Sequence, residues 1–170
     1  MKTSRWLRST VLALAVAAPV LAARAAPVVT VFLVRHAEKA PSGDDPGLSD
    51  AGQKRADALA KTLGDAGITA VFSTEYKRTQ DTAAPLAKRL GIPVTIVPGK
   101  DLDGLMAKLR ALTPGTKALV VGHSNTVPVL AQRLTGVKIA ELTDADYDRL
   151  FVARFGKDGV GDVDVLRYGD

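Results

Sequence analysis

The sequence predicts an α/β fold: a three-layer α/β/α sandwich with a mainly parallel sheet and an antiparallel hairpin at one edge. Three observations lead to this prediction. Apolar, β-branched runs alternate along the chain with segments of helical periodicity. Several of these runs are apolar throughout, as expected for strands that are buried on both faces of a sheet. Near the C-terminus, two strand-like runs flank a glycine-rich turn, which indicates a hairpin.

The first half of the chain alternates strand and helix. Val28–Val34 is a continuous run of β-branched and other apolar residues, which predicts a buried strand. Ser49 and Asp50 are suited to cap a helix, because apolar residues then recur on one face as far as about Gly67. A short apolar run at Ala70–Ser73 predicts the second strand.

The next helix is predicted from about Lys77 to Leu90, where Gly91 closes it. Pro85 lies inside this helix and is expected to kink or split it, because proline has no N–H to donate. Two further strands are predicted at Val94–Val97 and Ala118–Val121, and two further helices at Leu102–Leu112 and Asn125–Leu134. The two strands of the hairpin are predicted at Leu150–Phe155 and Asp162–Arg167.

Composition restricts the chemistry that the chain can carry out. It has 170 residues, of which 46% are apolar and 24% are charged, as in one ordinary soluble domain. It contains no cysteine, which excludes disulfide frameworks, thiolate metal sites and thiol nucleophiles. It contains only two histidines, which argues against a histidine-rich metal site. We therefore expect neither a metal ion nor a cofactor.

The N-terminal segment has the pattern of a secretory signal peptide. A basic region with Lys2, Arg5 and Arg8 precedes an uncharged apolar run over residues 11–23, and an A-x-A cleavage site ends at Ala25. The apolar run is shorter than the roughly 20 residues that a membrane-spanning helix needs.

Residues 1–25 are therefore predicted to be a cleaved signal peptide and residues 26–170 the mature domain, with an uncleaved anchor as the alternative. The signal peptide carries four basic and no acidic residues, so its removal lowers the net charge from +5 to +1. A nearly neutral domain has no electrostatic attraction to nucleic acid. We expect a periplasmic or secreted protein that binds no nucleic acid and keeps no stable membrane insertion after cleavage.

The two histidines follow two of the predicted strands. Arg35 and His36 come directly after the first strand, and His123 comes just after the strand at 118–121. Ligands of open parallel sheets bind beyond the carboxyl ends of the strands. A lone histidine is more often a structural side chain, but two at one sheet edge, one of them beside an arginine, predict a functional site.

An arginine next to a histidine is suited to phosphoryl transfer. Arg35 can bind phosphate oxygens with its bidentate fork. Its positive charge disfavours the imidazolium form of His36, which keeps the ring neutral and nucleophilic near pH 7. A neutral imidazole can then attack phosphorus and form a phosphohistidine.

Two further residues are placed to hold an anion at the same edge. Arg78 follows the second strand at the start of a helix, so it can add a second guanidinium where helix-terminal amides also favour an anion. A solvated arginine is the alternative interpretation of Arg78. Ser124 follows His123 and is predicted to cap the next helix, with free amides directed at the site.

Four short motifs occur along the chain: L-V-R-H-A-E (33–38), L-S-x-x-G (48–52), S-T-E-Y-K-R-T-x-x-T-A (73–83) and V-V-G-H-S (120–124). Together they resemble the motifs of the histidine phosphatase superfamily, also called the phosphoglycerate-mutase-like superfamily, in its branch 1. The resemblance covers residues 28–168. It implies that His36 is the phosphorylated nucleophile, that Arg35 and Arg78 clamp the phosphate, and that His123 stabilises the transition state.

The short chain narrows this resemblance. Members of the superfamily that act as mutases or sugar bisphosphatases carry long insertions that form lids, whereas here about a dozen residues join the first motif to the next helix. The chain is similar to the minimal SixA-type phosphohistidine phosphatases. The resemblance therefore implies a phosphatase of phosphomonoesters or phosphoramidates, with a phosphorylated small molecule or an envelope-linked phosphate as its substrate.

The proton donor for the leaving group stays open. Many members of branch 1 place a glutamate after the second arginine, but this chain has Asp101 and Asp103 in that stretch. Asp103 is one candidate for the general acid, and Glu38, which lies two residues from the predicted nucleophile, is the other. The alternative interpretation of Asp103 is a helix-start residue that the helix dipole favours.

Two other functions are alternatives to a phosphatase. An exported phosphate- or anion-binding module of the same fold, with little or no turnover, is the main alternative because the general acid is not identified. An α/β-hydrolase is disfavoured, since its G-x-S-x-G turn needs glycine where Thr126 stands. Its catalytic histidine also follows the serine, and no histidine follows His123.

Overall fold

The computed structural model describes residues 28–156 and 161–169, and the predicted signal peptide lies outside them. No helix within these two ranges combines the length and apolar content of a membrane span. The elements in chain order are β1 Val29–Arg35, α1 Asp50–Leu63, β2 Ala70–Ser73, α2 Lys77–Leu90, β3 Val94–Ile96, α3 Leu102–Arg110, β4 Lys117–Gly122, α4 Val127–Thr135, β5 Arg149–Phe155 and β6 Gly161–Arg167.

The strands form one six-stranded sheet in the order β3-β2-β4-β1-β5-β6. The first four strands of this order are parallel, whereas β5 runs antiparallel to β1 and β6 runs antiparallel to β5. This arrangement confirms the predicted α/β fold with a mainly parallel sheet and an antiparallel edge hairpin. Residues 157–160, which include Gly159 of the predicted glycine-rich turn, lie outside the described residues.

Helices cover both faces of the sheet, which explains why the central strands are apolar throughout. On one face, Leu33 of β1 belongs to a buried cluster that includes Leu130 of α4. On the other face, Val34 belongs to a cluster that includes Leu59 of α1 and Leu86 of α2. Each of these side chains is at most 1% exposed, and burying one such side chain contributes about 1.5–3 kcal/mol.

α2 runs from Lys77 to Leu90 without interruption, so the expected split at Pro85 does not occur. A proline inside a helix costs roughly 3 kcal/mol, because it removes one hydrogen bond and crowds the preceding turn. Ala83 and Leu86, on either side of the proline, are both fully buried. Their burial offsets the cost of the proline and keeps the helix continuous.

The L-S-x-x-G motif determines where α1 begins. Ser49 Oγ accepts the amide of Gly52 at 3.1 Å and donates to the carbonyl oxygen of Glu38 at 3.2 Å. These bonds bring the first turn of α1 against the segment that follows β1. A Cβ on Gly52 would lie 2.1 Å from the carbonyl oxygen of Glu38, so only glycine fits there without a backbone shift.

Replacing Gly52 with alanine is therefore expected to lower the free energy of unfolding by roughly 1–3 kcal/mol, the usual cost of overpacking. Helix propensity alone favours alanine over glycine by about 1 kcal/mol. The variant is expected to be less stable because the clash outweighs this gain. Denaturant unfolding measures the change. Gln53→Ala, at the adjacent exposed position, is the control and is expected to stay within about 0.5 kcal/mol of the original chain. An unchanged or higher midpoint for Gly52→Ala would contradict the close approach.

Candidate active site

The register of the parallel strands places the two histidines side by side. Arg35 is opposite Gly122 in the pairing of β1 with β4, so the next residues, His36 and His123, leave the sheet together. The amide of His36 donates to the carbonyl oxygen of Gly122 at 2.8 Å. The centroids of the two imidazole rings lie 5.5 Å apart in an edge-to-face arrangement.

An open pocket of about 360 Å³ lies at this edge of the sheet, and His36, Arg78 and His123 all line it. The complete set of lining residues is His36, Tyr76, Arg78, Gly99, Lys100, His123, Ser124, Asn125 and Thr126. The set contains no aspartate or glutamate. Over residues 28–156 and 161–169, no three histidine, aspartate or glutamate side chains are grouped so that they could hold a metal ion.

The His36 ring is held in a tautomer that leaves Nε2 unprotonated. Its Nδ1 lies 2.8 Å from the carbonyl oxygen of Ala37. A carbonyl only accepts, so Nδ1–H is the donor and the lone pair of the neutral ring is on Nε2. Burial lowers the pKa of His36 from its ordinary value of 6.5 to about 4, with smaller contributions from the charges of His123 and the two nearby arginines. The ring is neutral at pH 7, and burial contributes more to this than the adjacent arginine does.

His123 is neutral for the same main reason. Burial and then the charge of Arg78 lower the pKa of His123 from 6.5 to about 4, and Glu75 acts in the opposite direction. Its Nε2 lies 3.1 Å from Oγ1 of Thr74, which in turn lies 2.7 Å from Oγ1 of Thr79. Both threonines are buried. The two hydroxyls therefore fix the orientation of the imidazole at the pocket.

Arg78 lies in the first turn of α2 and lines the pocket from there. Its guanidinium carbon lies 4.5 Å from the centroid of the Tyr76 ring. Its Nη1 lies 3.6 Å from Oδ1 of Asp45, and the same carboxylate accepts the amide of Lys77 at 3.2 Å. Asp45 thus supplies the side-chain cap that Tyr76 does not give to α2, and it holds Arg78 in place.

Arg35 lies beside the histidines but is not among the residues that line the pocket. Its side chain is buried, and Nη1 donates to the carbonyl oxygens of Thr143 and Asp144. Its Nη2 donates to the hydroxyl of Tyr147. The fork that was expected to clamp phosphate is therefore occupied by the protein itself. Nε is buried and has no hydrogen-bond partner in the part of the chain that the structure describes.

The sequence model of the family described as "Histidine phosphatase superfamily (branch 1)" matches residues 31–102, a range that contains Arg35, His36 and Arg78. The chain is similar to this superfamily over that range. His123 lies beyond the matched range, on the strand that the register places next to His36. The match to this model supports phosphatase- or mutase-type activity on a phosphorylated substrate.

Two curated proteins show the extent of the sequence similarity. The chain is 25% identical over 151 residues to "Probable phosphoglycerate mutase GpmB" of Erwinia tasmaniensis, with 76% of this chain and 70% of that protein covered. It is 38% identical over 80 residues to the PE-PGRS family protein PE_PGRS11 of Mycobacterium tuberculosis. That second match covers 45% of this chain and only 14% of the mycobacterial protein, so the chain spans a small part of that relative.

Solved structures of histidine phosphatases share the fold. The protein histidine phosphatase SixA, complexed with tungstate, superposes with a TM-score of 0.70 at 21% identity and covers 81% of this chain and 96% of its own. A mycobacterial glucosyl-3-phosphoglycerate phosphatase superposes with a TM-score of 0.65 at 17% identity and covers 84% of this chain and 99% of its own. The chain therefore covers nearly the whole length of both solved chains.

The structure does not bring either candidate acid to the pocket. Asp103 lies on the surface in the first turn of α3, where its carboxylate pairs with Arg133 at 2.7 Å. Glu38 turns away from the pocket and pairs with Arg55 through contacts of 2.7–3.0 Å. Burial alone would raise the pKa of Glu38, but the hydrogen bonds and charge of Arg55 lower it below its usual value. A carboxylate that stays ionised has no proton to donate, so Glu38 fits a structural role.

Ser124 lines the pocket, but it does not cap the following helix as expected. α4 begins at Val127 rather than near Asn125, with Thr126 at the N-cap position. The hydroxyl of Thr126 accepts the amide of His123 at 3.0 Å, which closes a turn between the strand and the helix. Ser124 remains a candidate for substrate contact because it lines the pocket.

Sequence reasoning did not single out several residues of the site. Tyr76 follows β2 and Lys100 follows β3, and both line the pocket. The strand-end rule that pointed to the histidines would have found them if it had been applied to all four parallel strands. Tyr147 is different, because it precedes β5 and no local pattern connects it with Arg35.

The chain has two histidines, so an NMR titration of the Cε1–H resonances can follow both imidazoles. We expect both resonances to titrate with midpoints near pH 4. Activity should then persist at pH 5 and be lost as pH falls through 4, since protonation removes the nucleophilic lone pair. The two histidines are also expected to make the stability of the fold decrease at low pH. An unfolded histidine titrates near 6.5, so the unfolded chain binds more protons between pH 6.5 and 4, and stability falls as pH drops through that window. Midpoints near 6.5 would contradict the buried site.

Proposed function

We propose that the protein is an exported phosphatase that hydrolyses phosphomonoesters or phosphoramidates through a phosphohistidine on His36, without a metal ion. The observation that carries the proposal is a buried, neutral His36 with Nε2 unprotonated, in one pocket with Arg78 and His123. A neutral imidazole is a nucleophile, and a fixed guanidinium can neutralise the charge of a transferring phosphoryl group. The tungstate in the similar SixA structure, a tetrahedral oxyanion, supports an oxyanion site in this fold.

The reaction proceeds in two displacements. Nε2 of His36 attacks phosphorus, and the P–N bond forms as the bond to the leaving group breaks and its electron pair departs with the leaving atom. Arg78 and His123 hold the phosphoryl oxygens during this step. Water then attacks phosphorus and the P–N bond breaks, which returns its electron pair to Nε2. The products are the leaving group, protonated from water, and inorganic phosphate.

The shape of the site favours hydrolysis over transfer of the phosphoryl group to another position of the substrate. The segment between β1 and α1 folds back on itself, with the amide of Ala40 donating to the carbonyl oxygen of Gly47. Of this segment, only His36 lines the pocket. The phosphohistidine is therefore open to water, whereas a mutase must exclude water from its reactive intermediate.

The lining of the pocket also bears on the leaving group. No carboxyl group among the described residues lines the pocket. An alkoxide leaving group needs a proton to depart, and the pocket has no carboxylic acid to supply it. We therefore propose a preference for leaving groups that depart readily, such as a phenolate or the nitrogen of a phosphoramidate. The open pocket accepts such a phosphoryl group on a large or envelope-linked molecule as well as on a small one.

Hydrolysis of p-nitrophenyl phosphate by the purified full chain, with and without a chelator, tests this proposal. We expect turnover that persists in the chelator. Radiolabelled phosphoenzyme, trapped by alkaline denaturation, should be base-stable and acid-labile and should map to His36. Lys54→Ala, on the exposed face of α1, is the matched control and should keep both turnover and label.

Three outcomes would contradict parts of the proposal. Label on a serine or threonine would overturn the assignment of the nucleophile. Complete loss of turnover in the chelator, restored by magnesium, would overturn metal independence. Binding of inorganic phosphate without hydrolysis of any phosphoester or phosphoramidate would favour the anion-binding module.

Export is proposed from the N-terminal pattern, which lies outside the described residues. Expression of the full chain in a Gram-negative host should give a periplasmic protein whose first residue is Ala26. A protein that keeps its N-terminal methionine and remains in the cytoplasm would overturn this part of the proposal.

A further inference from the structure

A single buried hydroxyl joins the segment of the proposed nucleophile to the helix that carries Arg78. Oγ1 of Thr82, in α2, accepts the amide of Ala37 at 2.9 Å and donates to the carbonyl oxygen of Arg78 at 2.7 Å. A threonine hydroxyl can donate one hydrogen bond while it accepts another, so both bonds form at the same time. The hydroxyl of Thr82 therefore connects the residue that follows His36 to the first turn of α2.

Ala37 is also the residue that fixes the tautomer of His36. Its carbonyl oxygen accepts from Nδ1 of the ring at 2.8 Å, and its amide is the donor to Thr82. Ala37 and Thr82 are both fully buried, so bulk water cannot replace the hydroxyl as the acceptor. Without the hydroxyl, the amide of Ala37 would be buried and unpaired, and the segment is expected to shift towards another acceptor.

α1 holds the same segment from a different direction. The carbonyl oxygen of Glu38 accepts the amide of Ser49 at 2.9 Å and its hydroxyl at 3.2 Å. These bonds determine the path of the chain after Ala37, but they do not reach α2. The bond from the Ala37 amide to Thr82 is therefore the contact that sets the distance between the nucleophile segment and the first turn of α2.

We propose that Thr82 is a positioning residue whose hydroxyl fixes the segment after β1 against α2, so that Nε2 of His36 and the guanidinium of Arg78 meet at the same phosphoryl group. This inference rests on the proposed function. In-line attack needs aligned reacting atoms, and a displacement of about 1 Å can lower the rate about a hundredfold. Thr82 does not line the pocket, so it acts on the reaction through Ala37 and Arg78.

Thr82→Val tests the inference in the full chain, because valine keeps the shape of threonine and lacks the hydroxyl. We expect kcat for p-nitrophenyl phosphate to fall roughly ten- to a hundredfold. Binding of inorganic phosphate should weaken by about threefold or less, since Arg78 and His123 still line the pocket. Thr82→Ser restores the hydroxyl and should stay within about threefold of the original kcat.

Thr135→Val is the matched control. Thr135 is also a buried threonine whose Oγ1 donates to the carbonyl oxygen four residues earlier, that of Ala131, and accepts a backbone amide, that of Val137. It ends the nine-residue helix α4, whose N-cap residue Thr126 lines the pocket. About 13 Å of helix therefore separate Thr135 from the pocket. Its valine variant should keep the original kcat.

The nitrogen chemical shifts of the His36 ring give a readout that a loss of stability alone does not change. In the original chain and in Thr82→Ser, Nδ1 should be protonated and Nε2 unprotonated. In folded Thr82→Val the two tautomers should interconvert, because the Ala37 carbonyl is no longer held in place. A ring that already interconverts in the original chain would overturn the inference, so the test does not depend on whether the valine variant folds.

Two kinetic results would also contradict the inference. A folded Thr82→Val with kcat within about threefold of the original would show that the hydroxyl does not align the site. Equal losses of kcat in Thr82→Val and Thr82→Ser would show that the hydroxyl is not the group that matters. Both results leave the phosphohistidine on His36, and with it the proposed function, intact. If the original chain does not hydrolyse p-nitrophenyl phosphate, the proposed function itself is wrong and the inference fails with it.

Discussion

Replacing His36 with alanine is expected to lower kcat for p-nitrophenyl phosphate by roughly four orders of magnitude or more, because the covalent intermediate can no longer form. His36 is the lining residue whose Nε2 carries a lone pair at neutral pH, with Nδ1 committed to the Ala37 carbonyl. Steady-state kinetics together with phosphoenzyme trapping measure the effect. Binding of inorganic phosphate should survive in the variant, since Arg78 and His123 remain in the pocket.

His123→Ala provides the comparison. It removes a contact to the phosphoryl oxygens and leaves the nucleophile intact, so a loss of about 10²–10³-fold is expected, with label still trapped on His36. If His36→Ala kept more than about 1% of the original kcat, a nucleophile other than His36 would have to carry the reaction.

Replacing Arg78 with alanine is expected to lower kcat/KM by about 10²–10³-fold, since it deletes the guanidinium that lines the pocket. Its charge also lowers the pKa of both histidines, so those values should rise in the variant. Arg78→Lys keeps the charge but loses the planar fork, and it should recover only part of the lost activity. Kinetics with p-nitrophenyl phosphate and the NMR titration of the two imidazoles measure these effects.

Arg89→Ala is the matched control for Arg78→Ala. Both arginines lie on α2, but Arg89 is in the last turn, where it pairs with exposed Asp65 on the surface. Its loss should leave kcat/KM unchanged, because exposed pairs contribute little and the residue is remote from the pocket. Equal kcat/KM for Arg78→Ala and Arg89→Ala would show that the guanidinium of Arg78 does not contact the substrate.

The strands and helices could be predicted from the sequence because their hydrophobic periodicity directly reflects burial. The run that became β1 is apolar throughout since both of its faces meet helices, and the clusters around Leu33 and Val34 confirm this. The strand-end rule likewise pointed to His36, His123 and Arg78, which line one pocket. The continuity of α2 through Pro85 could not be predicted locally, because packing against the sheet offsets the cost of the proline.

The partners of the charged side chains required the tertiary structure. Glu38 looked like a rival acid because it is two residues from His36 in sequence, yet its carboxylate pairs with Arg55 on α1. Asp103 lies in the stretch where an acid was expected, but the rotation of α3 directs it to Arg133. Asp45 had no predicted role, although it caps α2 and contacts Arg78. In each case the partner is 17 to 33 residues away in sequence.

The sequence by itself determined the α/β class, the order of the elements and the identity of the histidines and arginines, since periodicity and strand-end position are local properties of the chain. Only the tertiary structure decided which nitrogen atoms of those residues are free. The fork of Arg35 is held by carbonyl groups 108 and 109 residues away in sequence, and the lone pair of His36 is on Nε2 because Nδ1 donates to the Ala37 carbonyl oxygen. Such assignments depend on hydrogen bonds that form when the folded backbone brings acceptors within about 3 Å, and no local pattern encodes that geometry.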